Sequence, residues 1–299
     1  MVIRVPRDKS FYAFGPHLTP AVHADQGEEV ILETFDCFQG QIVKETDLTT
    51  NLDWSSINPA TGPVFINGVK PGDVVKIDLL EVKVADQAVI TAIPGEGALP
   101  DLITEVETAV LPVSGNYLVF KNKVRIPLKP MIGVIGFVPA NEQIPNGTPD
   151  YHGGNMDCTL IGEGTSLYLT AMLDGGLLGA GDFHSVMGDG EVLVAGAETN
   201  GEVRFKASVV DRKDLPTPFL ETEDLYVTLY SAESIDAACD GAVRRMSHFL
   251  THFAGLDQNT AIMLMSLVGD LKICQVVDPK KTARFEFPKW VLREYGFSL

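Results

Sequence analysis

Positive charge, long apolar runs and paired cysteines are what this 299-residue sequence has least of, and each lack removes a class of function. Lys and Arg number 23 against 40 Asp and Glu, a formal net charge of −17 that repels phosphate backbones and anionic membrane surfaces. No apolar stretch approaches the roughly 20 residues needed to span a bilayer. The opening MVIRVPRDKSFYAF has no long apolar stretch after its basic residues, so no secretory signal is expected there. Cys37, Cys158, Cys239 and Cys274 are scattered without a CxxC, which suits a reduced cytoplasm better than a disulfide framework. The expectation is an acidic cytoplasmic protein whose partners include neither nucleic acid nor membrane.

What is present reads mainly as β. Short β-rich runs at Val30–Phe35, Val64–Ile66, Val74–Leu80 and Val89–Ile93 are separated by Gly and Pro, which suggests a sandwich or barrel rather than βα units. Further strands are expected at Met131–Phe137, Ser166–Met172, Glu191–Ala197, Val203–Val210, Leu225–Leu229 and Leu271–Val277. Helical spacing of Ile235, Cys239, Ala242, Met246, Leu250 and Phe253 predicts a helix capped by Ser231, and Asp257 can cap a second. The fold class is therefore α+β, predominantly β. A sandwich-like or barrel-like part (1–126), a β-rich part carrying the metal and catalytic motifs (127–210) and an α+β part (211–299) would share one core.

Metal-capable side chains concentrate between glycines in the stretch from His152 to Glu198. Asn155 and Asp157 are two apart, as are Asp182 and His184, so on extended chain each pair points to one side. Two facing pairs would surround a point with oxygens and an imidazole. Spacing alone leaves a plainer alternative, because Gly188-Asp189-Gly190 is also ordinary turn chemistry. The 12-residue calcium loop of an EF-hand is missing. His17 and His23 stand without a nearby second ligand. His248 and His252 lie opposite the apolar helical stripe and lack the Glu of an HExxH motif, so they are rejected as the metal site.

HGGNMD, LYL, GDFHSVMGDGE and the Glu seven residues later resemble the core signature of the acetamidase/formamidase family. Segments from Glu33 to Ile42, Asn58 to Asp73, Lys129 to Ala140 and Gly269 to Pro279 extend the likeness over nearly the whole chain. Met187 stands where the family commonly has Gln, and Thr170 where it has Pro. Phe183 and Ser185 also depart from its frequent smaller residues.

The resemblance implies hydrolysis of small aliphatic amides such as acetamide or formamide by metal-activated water. Zn²⁺ with His and carboxylate ligands suits that chemistry. His184, Asp157 and Asp182 are the first ligand candidates. Asn155, Asp36 and Glu198 come next, for a second, harder ion such as Ca²⁺. Glu33 is the candidate proton shuttle, with Asp36 beside it at a strand end, although both could be solvated carboxylates. Glu191 could carry protons or pin its turn, and His152 and Gly154 are candidate substrate contacts. The expected partners are a small amide and further copies of the chain, as a homodimer or larger homo-oligomer. Two other readings stay open: a β-rich non-catalytic binding protein with a structural ion, and a covalent cysteine amidase using Cys158. Neighbouring carboxylates would raise that thiol's pKa and weaken it as a nucleophile.

Overall fold

The computed structural model describes residues 2–299. Two large sheets carry the architecture. In the first, nine strands run in the order Ile3–Val5, Val30–Thr34, Gly201–Val210, Val74–Val84, Ser166–Thr170, Phe219–Glu221, Leu225–Ala232, Lys281–Pro288, Asp270–Gln275. The second has eleven strands, centred on Gly176–His184. That strand pairs with Met131–Phe137, Glu198–Thr199 and Ala60–Ile66, all antiparallel. Neither sheet closes into a barrel, so the barrel-like expectation is corrected to stacked open sheets.

Period-2 burial explains the stacking. Along Gly201–Val210, Val203, Phe205 and Ala207 face inward, as the alternation predicts. They meet Ile132, Ile135, Leu178, Ala180 and Phe183 of the second sheet in one continuous core. The first sheet takes strands from all three stretches distinguished in the sequence, so those stretches interleave.

Helices α1 (Ile235–His252) and α2 (Gln258–Val268) cover the far end of the first sheet. Ala242, Met246 and Leu250 of the stripe are fully buried, packing with Phe219, Tyr226 and Phe287. Asp257 caps α2 as expected, accepting from Thr260 N at 3.1 Å. Ser231 does not cap α1. It is still in the Leu225–Ala232 strand, and Ser234 caps the helix through Ala237 N at 3.2 Å. The expected Glu191–Ala197 strand is a loop instead, since Glu191 (φ 44°) and Val194 (φ 66°) are left-handed. No described helix is long and apolar enough to cross a membrane.

Candidate metal centre and active site

His184 ends the central strand of the second sheet and lies directly across from Glu198. Facing residues of an antiparallel pair share a side, and here His184 Nε2 comes within 3.0 Å of Glu198 Oε1. Asp182 stands two residues earlier, its Oδ1 3.6 Å from the same nitrogen. Across the ladder, Ile132 pairs with Phe183 and Val134 with Gly181, so Gly133 and Asp182 lie opposite each other without forming a ladder pair themselves. Asp157 reaches the same place from beyond the Gly153–Asn155 strand, with Met156 N donating to Gly133 O at 3.1 Å.

Period-2 alternation alone does not produce this convergence. Asp157 (φ 44°) and Asp182 (φ 56°) are both left-handed, a strained state that clusters at functional sites. Gly133 makes room for them. A Cβ there would lie 2.4 Å from Asp157 Oδ1 and 2.6 Å from Asp182 Oδ2. Gly196 does the same for the His184 ring, 2.6 Å from where its Cβ would be.

Loops complete the cluster. Gly190 N donates to Cys274 O, and Asp189 is clamped by Arg284, which fixes the turn that delivers Glu191. Asp36 Oδ1 accepts from Phe38 N and Gly40 N, pinning the turn that carries Cys37. Asp278 Oδ2 accepts from Asn155 Nδ2 at 3.0 Å. The potential ligand atoms form two adjoining groups, each within 4.8 Å of one another: Asp157, His184 and Glu191, and Cys37, Asp182 and Glu198. The sequence placed Asp182 with Asp157 and His184. The folded chain keeps Asp182 within 3.6 Å of His184 and adds Cys37 and Glu198 beside it.

The electrostatics are one-sided. Asp36, Asp157, Asp182, Glu191, Glu198 and Asp278 are all buried, and among the described residues His184 alone makes an ion-pair contact with any of them. Burial first, then Asp278 and Asp182, push Asp157 well above the usual carboxylate range. Burial and Asp157 do the same to Glu191, and burial lifts Glu198 to about 7. For His184 burial opposes charging, but Glu198 and Asp182 outweigh it and raise the imidazole. Burial, Glu198 and Asp182 also hold the Cys37 thiol up.

Both Asp157 oxygens, both His184 nitrogens, Glu191 Oε2 and Glu198 Oε2 lack a hydrogen-bond partner. Buried carboxylates are ordinarily paired or bound to metal. Imidazole, carboxylate and thiol donors with free lone pairs fit a divalent ion of the zinc type.

A cavity of about 260 Å³ opens onto the cluster, lined by Asn155, Asp182, Glu191, Glu198 and Asp278 on one side. A larger groove of about 860 Å³ runs along α1 past His248 and His252, whose rings stack at 4.4 Å. It is remote from the carboxylates.

Several expected residues lie elsewhere. Glu33 points outward from the Val30–Thr34 strand, where Val30, Leu32 and Thr34 take the inward positions, and it accepts from Arg4 at 2.6 Å. It is not placed to move protons at the cluster. His152 is buried edge-on against Phe14, away from the cavity lining, and burial lowers its pKa to about 4. Gly154 packs against His152, so neither is placed to touch a substrate in this cavity. Cys158 is buried and does not line the cavity; burial raises its thiol, but Cys274 and Arg284 outweigh that and lower it, contrary to the rise expected from neighbouring carboxylates.

Cys37, Asp278 and Asn58 are cavity residues that the sequence reading did not single out. Cys37 and Asp278 fall inside two of the motif segments, and Asn58 opens a third. Motif membership was therefore the available signal.

A model of the Acetamidase/Formamidase family matches residues 6–148 and 140–291. The crystal structure of an acetamidase from Bacillus halodurans superposes with a TM-score of 0.97 at 41% identity, covering 99% of this chain and 100% of that one. A predicted acetamidase/formamidase of the thermophile Thermoanaerobacter tengcongensis gives 0.96 at 40% identity, covering 100% and 99%. A formamidase of Methylophilus methylotrophus is 23% identical over 254 residues, which is 65% of this chain and 62% of that protein. The chain thus spans under two thirds of the curated relatives it matches.

Proposed function

The chain belongs to the acetamidase/formamidase family, and from that premise we propose that it hydrolyses the C–N bond of small amides to a carboxylate and ammonia. The observation that carries the reading is the cluster of buried carboxylates around His184, several of their oxygens unpartnered, of which Asp182, Glu191 and Glu198 line a cavity. Amide hydrolysis needs a strengthened nucleophile, a stabilised oxyanion and a protonated leaving nitrogen.

His184, Asp157, Asp182 and Glu198 would hold the ion, with the Cys37 thiol beside Asp182 and Glu198. When bound there, a divalent ion such as zinc supplies Lewis-acid polarisation and lowers the pKa of water to about 7. Glu191 is the residue for proton transfer. It lines the cavity, its Oε2 is unpartnered, and burial with Asp157 nearby raises its affinity for a proton above that of an ordinary carboxylate. It takes a proton as water adds to the carbonyl carbon, and returns it to nitrogen as the C–N bond breaks. Asn58 and Asn155 each present an unpartnered buried side-chain oxygen at the cavity, suited to accepting from the substrate NH₂.

Ammonia release and metal content of the purified protein test this together. His184→Ala should lose metal and turnover. Glu191→Gln should keep the metal and lose roughly 10²–10⁴-fold in kcat, the usual weight of general acid–base catalysis. Retained full metal in His184→Ala would sink the ligand assignment. A metal-loaded protein that releases ammonia from no amide would leave the structural-ion reading standing.

A further inference from the structure

The cavity beside the cluster is larger and more apolar than acetamide requires. Its volume is about 260 Å³, room for roughly eight waters at about 30 Å³ each, whereas acetamide has one methyl beyond its amide group. Beside the carboxylates its lining includes Phe38, Trp54, Ile57, Ile93 and Val194.

Trp54 is the unusual member. Its indole is 56% exposed at the edge of the cavity. It sits on the short 3₁₀ turn Trp54–Ser56, which is fixed rather than loose. Asp53 Oδ1 accepts from Ser55 N at 3.0 Å, and Asp53 N donates to Gln41 Oε1 at 2.8 Å. A large aromatic at a cavity edge on a hydrogen-bonded turn, with little of it contributing to the core, is typical of a recognition surface.

Charge narrows the occupant further. Glu96, Glu191 and Asp278 join Asp182 and Glu198 around the same space. An anionic substituent would be repelled there, while a neutral apolar one would not.

Resting on the amidase reading above, we infer that the substrate class is neutral primary amides with a branched-alkyl or aryl acyl group. The acyl group lies against Trp54, Ile57 and Ile93, and the amide is held between Asn58, Asn155 and the carboxylates. Trp54 is then a specificity-determining residue. Burying a ring or branched chain against this wall should raise kcat/KM roughly 10- to 100-fold over acetamide.

The test uses the metal-loaded full chain and ammonia release from formamide, acetamide, 3-methylbutyramide, phenylacetamide and the anionic succinamate. We expect phenylacetamide and 3-methylbutyramide to lead and succinamate to trail. Trp54→Ala should lower kcat/KM for phenylacetamide at least ~10-fold more than for acetamide. Acetamide matching phenylacetamide, or an equal loss on both in Trp54→Ala, overturns the inference.

The chain has two tryptophans, so Trp290→Phe leaves Trp54 as sole indole reporter. If no amide is hydrolysed, the amidase reading fails by itself. Saturable fluorescence change in Trp290→Phe with phenylacetamide, and none with acetamide, would then still support the apolar site. Its absence would remove that site too.

Discussion

Asp189 and Glu191 are separated by one glycine, yet Asp189 is exposed in a cluster whose charges balance and Glu191 is buried in one whose charges do not. Asp189 accepts from both Arg284 amino groups at 2.8 and 2.6 Å, and Arg284 Nε donates to Glu286 at 2.7 Å. Lys272 closes that network on Glu286 at 2.7 Å. Burial would raise Asp189, but Arg284 holds it below the usual range. Glu191, on the same turn, is driven above it by burial and Asp157. The first cluster matches each carboxylate with a cation and ties the GDG turn to the first sheet. The second gathers carboxylates around the His184 imidazole and leaves both Asp157 oxygens, Glu191 Oε2 and Glu198 Oε2 without a hydrogen-bond partner. A protein retains such an imbalance where a proton or metal is to be taken up.

Gly133→Ala should break the contrast most severely, because its methyl would displace both Asp157 and Asp182. We expect loss of bound metal and about 10³-fold in turnover with the fold intact. Near-parental metal content would show that the carboxylates have room to spare.

Arg284→Met attacks the other cluster. Removing one partner from a buried ion network typically costs about 3–5 kcal/mol, so chemical denaturation should show a loss of that size. A variant as stable as the parent would mean that Asp189 and Glu286 find other partners.

Asp157→Asn sharpens the comparison in the opposite sense. It removes one like charge from the unbalanced cluster, so the metal-free protein should gain about 1–2 kcal/mol while activity is lost. Metal-free stability that falls instead would argue that the cluster is satisfied as it stands.

Acid should have a smaller, reversible effect. Without metal, Glu198 in the folded chain titrates at about 7 against an ordinary value of 4.5, and His184 is also raised. Folding then takes up protons, so this contribution is complete below about pH 4.5 and is lost as pH rises through about 7. The metal-free Tm should be higher at pH 5 than at pH 8, and saturating Zn²⁺ should shrink the difference by replacing the proton. Equal melts at both pH values without metal would contradict the raised carboxylate.

Glu33→Gln should do least. Its partly exposed pair with Arg4 is worth at most about 1 kcal/mol, and kcat should be unchanged. A fall of about 10²-fold would return Glu33 to the mechanism.

Much of this was legible beforehand where the deciding interactions are local. The fully buried Met131–Phe137 strand follows from its continuous apolar run, the inward Val203, Phe205 and Ala207 from alternation, and the Asp257 cap from one side chain and the next turn. Reading failed where backbone departs from regular geometry. Glu191–Ala197 has β-like composition but folds as a loop because Glu191 and Val194 are left-handed. Glu33 was chosen for its motif, and strand alternation then turned it outward while Thr34 went inward.

The sequence by itself determined which chemistry the protein can use. The glycines flanking Asp157, Asp182, His184 and Glu191, the acidic excess and the strand periodicity are properties of residues and near neighbours. Only the tertiary structure decided which of those groups meet. Cys37, Asp278 and Asn58 enter the site from loops far apart in the chain, and Glu198 faces His184 through strand register. Such meetings depend on how two sheets stack, and that is set by the summed burial of the whole core rather than by any one motif.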